Sequence, residues 1–146
     1  MPVAKSFRDL NVWLLAREAA SKVFEMTKRF PREERFSLVD QIRRSSRAVM
    51  AMIAEAWARR RYKAAFISKL DEALGETYET QSWLTCALDS AYIGEPEFSE
   101  IDSRFSKIGG MLSRMIDRVD DFCKNAPNTD YRSTAGGRAQ PPITDH

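Results

Sequence analysis

Histidine is almost missing from this chain: its one copy, His146, is the last of 146 residues. A His-based acid, base or metal site therefore has no second donor to draw on. Cysteine is nearly as scarce. Cys86 and Cys123 stand too far apart for a metal-ligand spacing, and MPVAKSFRDL lacks the apolar stretch of a secretory signal. They read as reduced, core-packed thiols of a cytoplasmic protein. No run approaches the roughly 18 apolar residues of a membrane span, so no membrane role is expected. There is no Gly-rich phosphate loop and no nucleophile elbow. Glu55 and Glu79 could both point inward, but a four-helix carboxylate metal centre would want Glu-x-x-His motifs, and none occurs. The expectation is a protein that is not an enzyme, with no catalytic residues, no metal and no cofactor.

What is present is helix. The chain is 43% apolar and 30% charged with only six Gly and six Pro, and its length suits one domain with a core that needs no disulfide. Val12, Leu15, Ala16, Ala19, Val23, Met26 and Phe30 recur every three or four residues and share one face. This predicts a first helix from about Asp9, its cap, to Arg29, stopped by Pro31. A second helix is predicted to start near Ser37, with Asp40 as capping-box partner and Leu38, Ile42, Val49, Ile53 and Trp57 as its stripe. No Gly or Pro interrupts Ser37 to Tyr92, so the pattern alone permits one continuous helix; the usual helix lengths of a compact domain favour a reversal within Ala58 to Lys63 and a third helix, with Phe66, Leu70, Ala73, Leu74, Thr77, Gln81, Leu84 and Leu88 at core spacing. Trp83 on the acidic outer face of that helix hints at a subunit contact. Gly94 is read as its C-terminal cap and Pro96 as the next start.

The fourth helix carries a heptad seam of Ile101, Phe105, Ile108, Leu112, Met115, Val119 and Phe122, interrupted by Gly109 and Gly110. After Lys124 the periodicity ends. The fold class is all-α: an antiparallel up-down-up-down four-helix bundle over residues 1–124, with a disordered C-terminal tail over 125–146.

Charge is uneven along these helices. Lys28 to Lys63 holds eleven Lys and Arg against four Asp and Glu, a net +7; Ala64 to Glu95 holds one against six, a net −5. Two readings follow. In one, the basic surface binds nucleic-acid phosphates through Arg43, Arg44, Arg47, Arg59, Arg60, Arg61 and Lys63, releasing counterions. In the other, the arginines pair with glutamates within or between subunits of a protein-interaction scaffold. Arg43, Arg44, Arg47 and Arg61 share their arc of the helix with Ala51, Ala54 and Ala58, small residues that admit a close neighbour or simply favour helix.

The run FPREERFSLVDQIRRSS (Phe30–Ser46), then IAEA, Arg59, Phe66, Leu70 and the AxGxxxE run from Ala73 to Glu79, resembles the bacterial four-helix-bundle proteins encoded in 23S ribosomal RNA intervening sequences. The opening FRDLNVW is similar as well, and the likeness covers about Phe7 to Phe122. The resemblance implies a ring-shaped homopentamer. It also implies kinship with accessory bundle proteins of diversity-generating retroelements, and hence RNA or DNA and, by distant analogy, a reverse-transcriptase-like protein as partners. Its matching polar positions are Arg44, Glu55, Arg59 and Glu79, expected to form an internal charge network that sets helix register. Met52 and Ala56 depart from the family's Asn-Ile-Ala-Glu-Gly, replacing the Asn and the Gly.

Overall fold

Asp9 caps a turn and not a helix. In the computed structural model, which describes residues 3–123, its carboxylate accepts from the Lys5 and Ser6 amides at 2.9 and 3.1 Å. The Ser6 hydroxyl meanwhile accepts from the Arg8 amide, closing a capping box around a short 3-10 turn, Phe7–Asp9. The first helix, α1, begins only afterwards and spans Asn11–Thr27. It stops before the residues that precede Pro31. Lys28, Arg29 and Phe30 donate to carbonyls three residues back, tightening the chain so that Phe30 turns into the core.

Helix α2 spans Leu38–Ala58. Its N-cap position is Ser37, as expected, but neither the Ser37 hydroxyl nor Asp40 supplies the capping bond. Glu34 does: its carboxylate accepts from the Ser37 hydroxyl (2.6 Å) and the Leu38 amide (3.4 Å), and its other oxygen accepts from Tyr92 (2.6 Å). The chain reverses between Ala58 and Lys63, as expected, and α3 runs Lys63–Asp89. Its C-terminal cap is Ala91, not Gly94. Ala91 sits at φ 61° while the Tyr92 amide reaches the Ala87 carbonyl and the Ala91 amide reaches that of Leu88, a Schellman closure. Gly94 instead precedes α4 (Glu95–Asp117), with Pro96 in its first turn. The predicted seam to Phe122 is broken at Arg118, so Val119 and Phe122 belong to a short α5, Val119–Cys123. Phe122 still reaches the core, stacked on Phe66 at 5.7 Å.

The described residues form an all-helical structure with no strand and no helix long and apolar enough to cross a membrane. Contacts give the directions. Arg44 meets Glu79 while Glu55 meets Lys69, so α2 and α3 run oppositely. Glu18 meets Arg104 while Lys22 meets Glu100, so α4 returns antiparallel along α1. The apolar stripes meet as predicted, with Met26, Ile42, Ile53, Leu70, Phe105, Ile108 and Leu112 at the centre, each contributing about 1.5–3 kcal/mol by burial. Five hydroxyl residues are buried with them: Thr77, expected at core spacing, and Thr27, Ser45, Ser46 and Thr80, which escaped the apolar pattern. Each is bonded to a backbone carbonyl on its own helix, and Ser45 and Thr80 share a 2.8 Å bond across the α2–α3 seam. Gly109 is buried where α4 crosses α3, yet a Cβ there would meet Leu74 at an ordinary 3.6 Å. The tail predicted for 125–146 lies outside the described residues.

Candidate nucleic-acid interface

The seven predicted cations do not share a face. At 100° per residue, Arg43 and Arg47 turn toward α1 while Arg44 turns toward α3. Arg43 donates through Nε to the Thr27 hydroxyl (2.7 Å) and through Nη2 to the Phe24 carbonyl (3.4 Å). Its guanidinium lies 4.5 Å from the Phe24 ring centre; Arg47 lies 5.6 Å and Lys28 4.9 Å from the same ring. Three cations thus gather on one aromatic. Lys28 is shared with Glu25 at 2.9 Å, whereas neither Arg43 nor Arg47 has a carboxylate in ion-pair range among the described residues.

Arg44, by contrast, is engaged by Glu79 (3.3 Å) and Gln41 (2.6 Å). Lys63 is engaged by Asp120. Arg60 stacks on Trp57, 3.6 Å from the ring centre, and donates to the Trp57 carbonyl. Arg59 and Arg61 are exposed at the α2–α3 turn, with no carboxylate in ion-pair range among the described residues.

The internal network predicted from Arg44, Glu55, Arg59 and Glu79 does not form. Arg44–Glu79 is one pair, and Glu55 goes to Lys69 at 3.6 Å, which also holds Glu72 at 3.2 Å. Arg59 joins neither. Glu55 and Glu79 face outward with roughly half and a third of their side chains exposed, so each pair contributes about 0–1 kcal/mol and not the larger value of a buried one. Glu79 also accepts from the Trp83 indole at 3.2 Å, which accounts for that aromatic on an acidic face. Beside it, burial and then the Glu79 charge hold the Glu76 carboxyl above the ordinary carboxylate range, and Glu76 Oε1 is buried without a hydrogen-bond partner. At the positions that depart from the family pattern, Met52 is half-buried against the core and Ala56 is fully buried. Cys123 is buried, but Cys86 is exposed and not core-packed as predicted.

Sequence reasoning missed Arg17 on α1 and Arg8 in the turn before it. Arg17 lies 5.8 Å from the Trp13 ring, and Arg8 lies 4.6 Å from Phe7 and 5.9 Å from Trp13. The readable signal was an aromatic followed four residues later by a cation, Trp13–Arg17 and Phe24–Lys28, which helix geometry makes neighbours. Between α1 and α2, Arg17, Ser21, Phe24, Glu25, Arg47 and Met50 line an open cleft of about 330 Å³. Among the described residues no cluster of His, Cys, Asp and Glu is placed to hold a metal.

No curated protein matches this chain. A crystal structure of a protein with unknown function from the S23 ribosomal protein family of Bacteroides thetaiotaomicron is similar, at 30% identity and a TM-score of 0.66, over 73% of this chain and 95% of that one. The model of the 23S rRNA-intervening sequence proteins matches residues 8–114, and the chain belongs to that family.

Proposed function

We propose that this chain is a non-enzymatic nucleic-acid-binding protein whose ligand is RNA, acting as a homo-oligomer. The four long helices would form an up-down-up-down bundle, the oligomer a pentamer as the family resemblance implies. The observation that carries the reading is the set of arginines with no carboxylate partner. Arg43, Arg47, Arg59, Arg60 and Arg61 remain available to phosphate, while Arg44 and Lys63 are committed within the chain. The family's name, which ties its members to an intervening sequence of ribosomal RNA, supports RNA over DNA.

The test is a salt titration of RNA binding by the intact protein. Five phosphate contacts on a single strand give a log–log slope of about −3.5, at roughly 0.7 per contact. Replacing Arg59, Arg60 and Arg61 together by Gln should weaken binding and reduce the slope by about 2. Binding that ignores salt, or that survives the triple change intact, would overturn the reading.

One observation favours a second reading, a scaffold joined by charge. Glu72, Glu76 and Glu79 gather on α3, where burial and then the charges of the other two hold the Glu76 carboxyl above its ordinary range, a cluster suited to a cation from another copy. That reading predicts that Arg43→Gln or Arg47→Gln lowers the assembly mass seen by light scattering, with only feeble RNA binding at physiological salt.

A further inference from the structure

We propose that the cleft between α1 and α2 takes one unpaired nucleotide of a single-stranded RNA. Its phosphate would lie between Arg17 and Arg47, and its base against Phe24 and Met50. This rests on the nucleic-acid reading and narrows it to a place and a strand type.

Three features carry it. The first is size: about 330 Å³ falls at the small end of ligand sites, which begin near 300 Å³, room for a group of about one nucleotide. The second is the state of the charge. Arg17 and Arg47 are exposed and lie near aromatic rings with no carboxylate in ion-pair range among the described residues, so their N–H donors stay available to phosphate oxygens. The one acid at the cleft, Glu25, is tied to Lys28 at 2.9 Å. The third is the interleaving of cation and ring along α1 and its two flanks, from Arg8 beside Phe7 in the turn before it, through Arg17 beside Trp13, to Lys28 beside Phe24 just past its end. Guanidinium planes and aromatic faces are the surfaces on which unpaired bases stack, whereas an RNA duplex presents mainly phosphates and 2′-hydroxyls. The larger opening near Phe36 and Trp83 is lined by Glu34 and no cation, and offers a phosphate nothing.

The experiment is fluorescence anisotropy of the full chain at fixed salt, with a labelled twelve-nucleotide RNA as single strand and as duplex. The single strand should bind at least tenfold more tightly than the duplex. Arg17→Gln with Arg47→Gln should cost the single strand about tenfold and reduce its salt slope by about 1.4, two contacts at roughly 0.7 each. Phe24→Leu keeps an apolar side chain of similar bulk but removes the π face; it should cost several-fold with the slope unchanged. Circular dichroism of each variant should match the parent. If neither RNA form binds, the nucleic-acid reading falls and the cleft with it. If duplex binds as well as single strand, or if the Arg17/Arg47 pair is silent while Arg59→Gln with Arg61→Gln removes binding, the cleft is overturned and the broader reading stands.

Discussion

The seams on the two sides of this molecule treat positive charge in opposite ways. Along α1–α4, Arg104 is held by Glu18 (2.8 Å) and Glu100 (3.1 Å), and Arg29 by Glu97; along α2–α3, Arg44 is held by Glu79 and Lys69 by Glu55 and Glu72. Along α1–α2, Arg17, Arg43 and Arg47 have rings for neighbours instead. A carboxylate uses up a guanidinium's charge inside the chain. An aromatic ring positions the group and leaves its charge available. The difference separates cations that fasten helices from cations free to meet a ligand, though both kinds look alike in a tally of residues.

Phe105 is fully buried in the core behind these seams, so its loss should open all of them together. Phe105→Ala should cost about 3–5 kcal/mol, read as a shift in the urea midpoint. The contrast between seams comes next. Arg43→Ala removes a charged hydrogen bond to the buried Thr27 hydroxyl and should cost about 1.5–3 kcal/mol, whereas Arg104→Ala breaks only surface pairs and should cost about 0–1 kcal/mol. Equal losses would erase the distinction. A backbone change away from both seams gauges the scale: Ala91→Gly relieves the left-handed φ of 61° and should raise stability by about 1 kcal/mol in the same titration.

The smallest effects are in pH. Glu76 has a raised carboxyl pKa in the fold, from burial first and the Glu79 charge second, so the folded state holds its proton more tightly than the unfolded chain. Stability therefore falls as pH rises from the unfolded pKa through the folded one, and Glu76→Gln should be more stable than the parent at neutral pH. Glu34 is the opposite case. Bonds from Ser37 and then Tyr92 lower its pKa, so its contribution is present above the unfolded value and lost as pH falls through the folded one. Glu34→Gln should flatten the acid limb of a pH–stability curve, and Glu76→Gln the limb toward neutrality. A stability curve left unchanged by both substitutions would show that neither carboxyl is coupled to folding.

Much of this was legible in one dimension. Val12 to Phe30, Leu38 to Ile53 and Ile101 to Met115 announce their helices because a 3.6-residue repeat places apolar side chains on one face wherever the chain goes. The helix ends were less legible. Glu34 caps α2 using a carboxylate also held by Tyr92, 58 residues on, and Ala91 takes a left-handed turn that sequence habit assigns to glycine. The site was half-legible. Arg43 and Arg47 were foreseen, whereas Arg17 was hidden in a helix read only for its apolar stripe and Arg8 in the turn before it.

The order of residues alone determined the apolar faces of the helices and an excess of cations between Lys28 and Lys63, since periodicity and charge are local properties of a chain; it did not by itself divide Ser37 to Tyr92 into two helices. Which cations are spent and which are spare was decided only in three dimensions. Arg43 and Arg44 are adjacent in sequence, but a turn of 100° sends one to a ring on α1 and the other to a carboxylate on α3, and those neighbours exist only once the helices have packed.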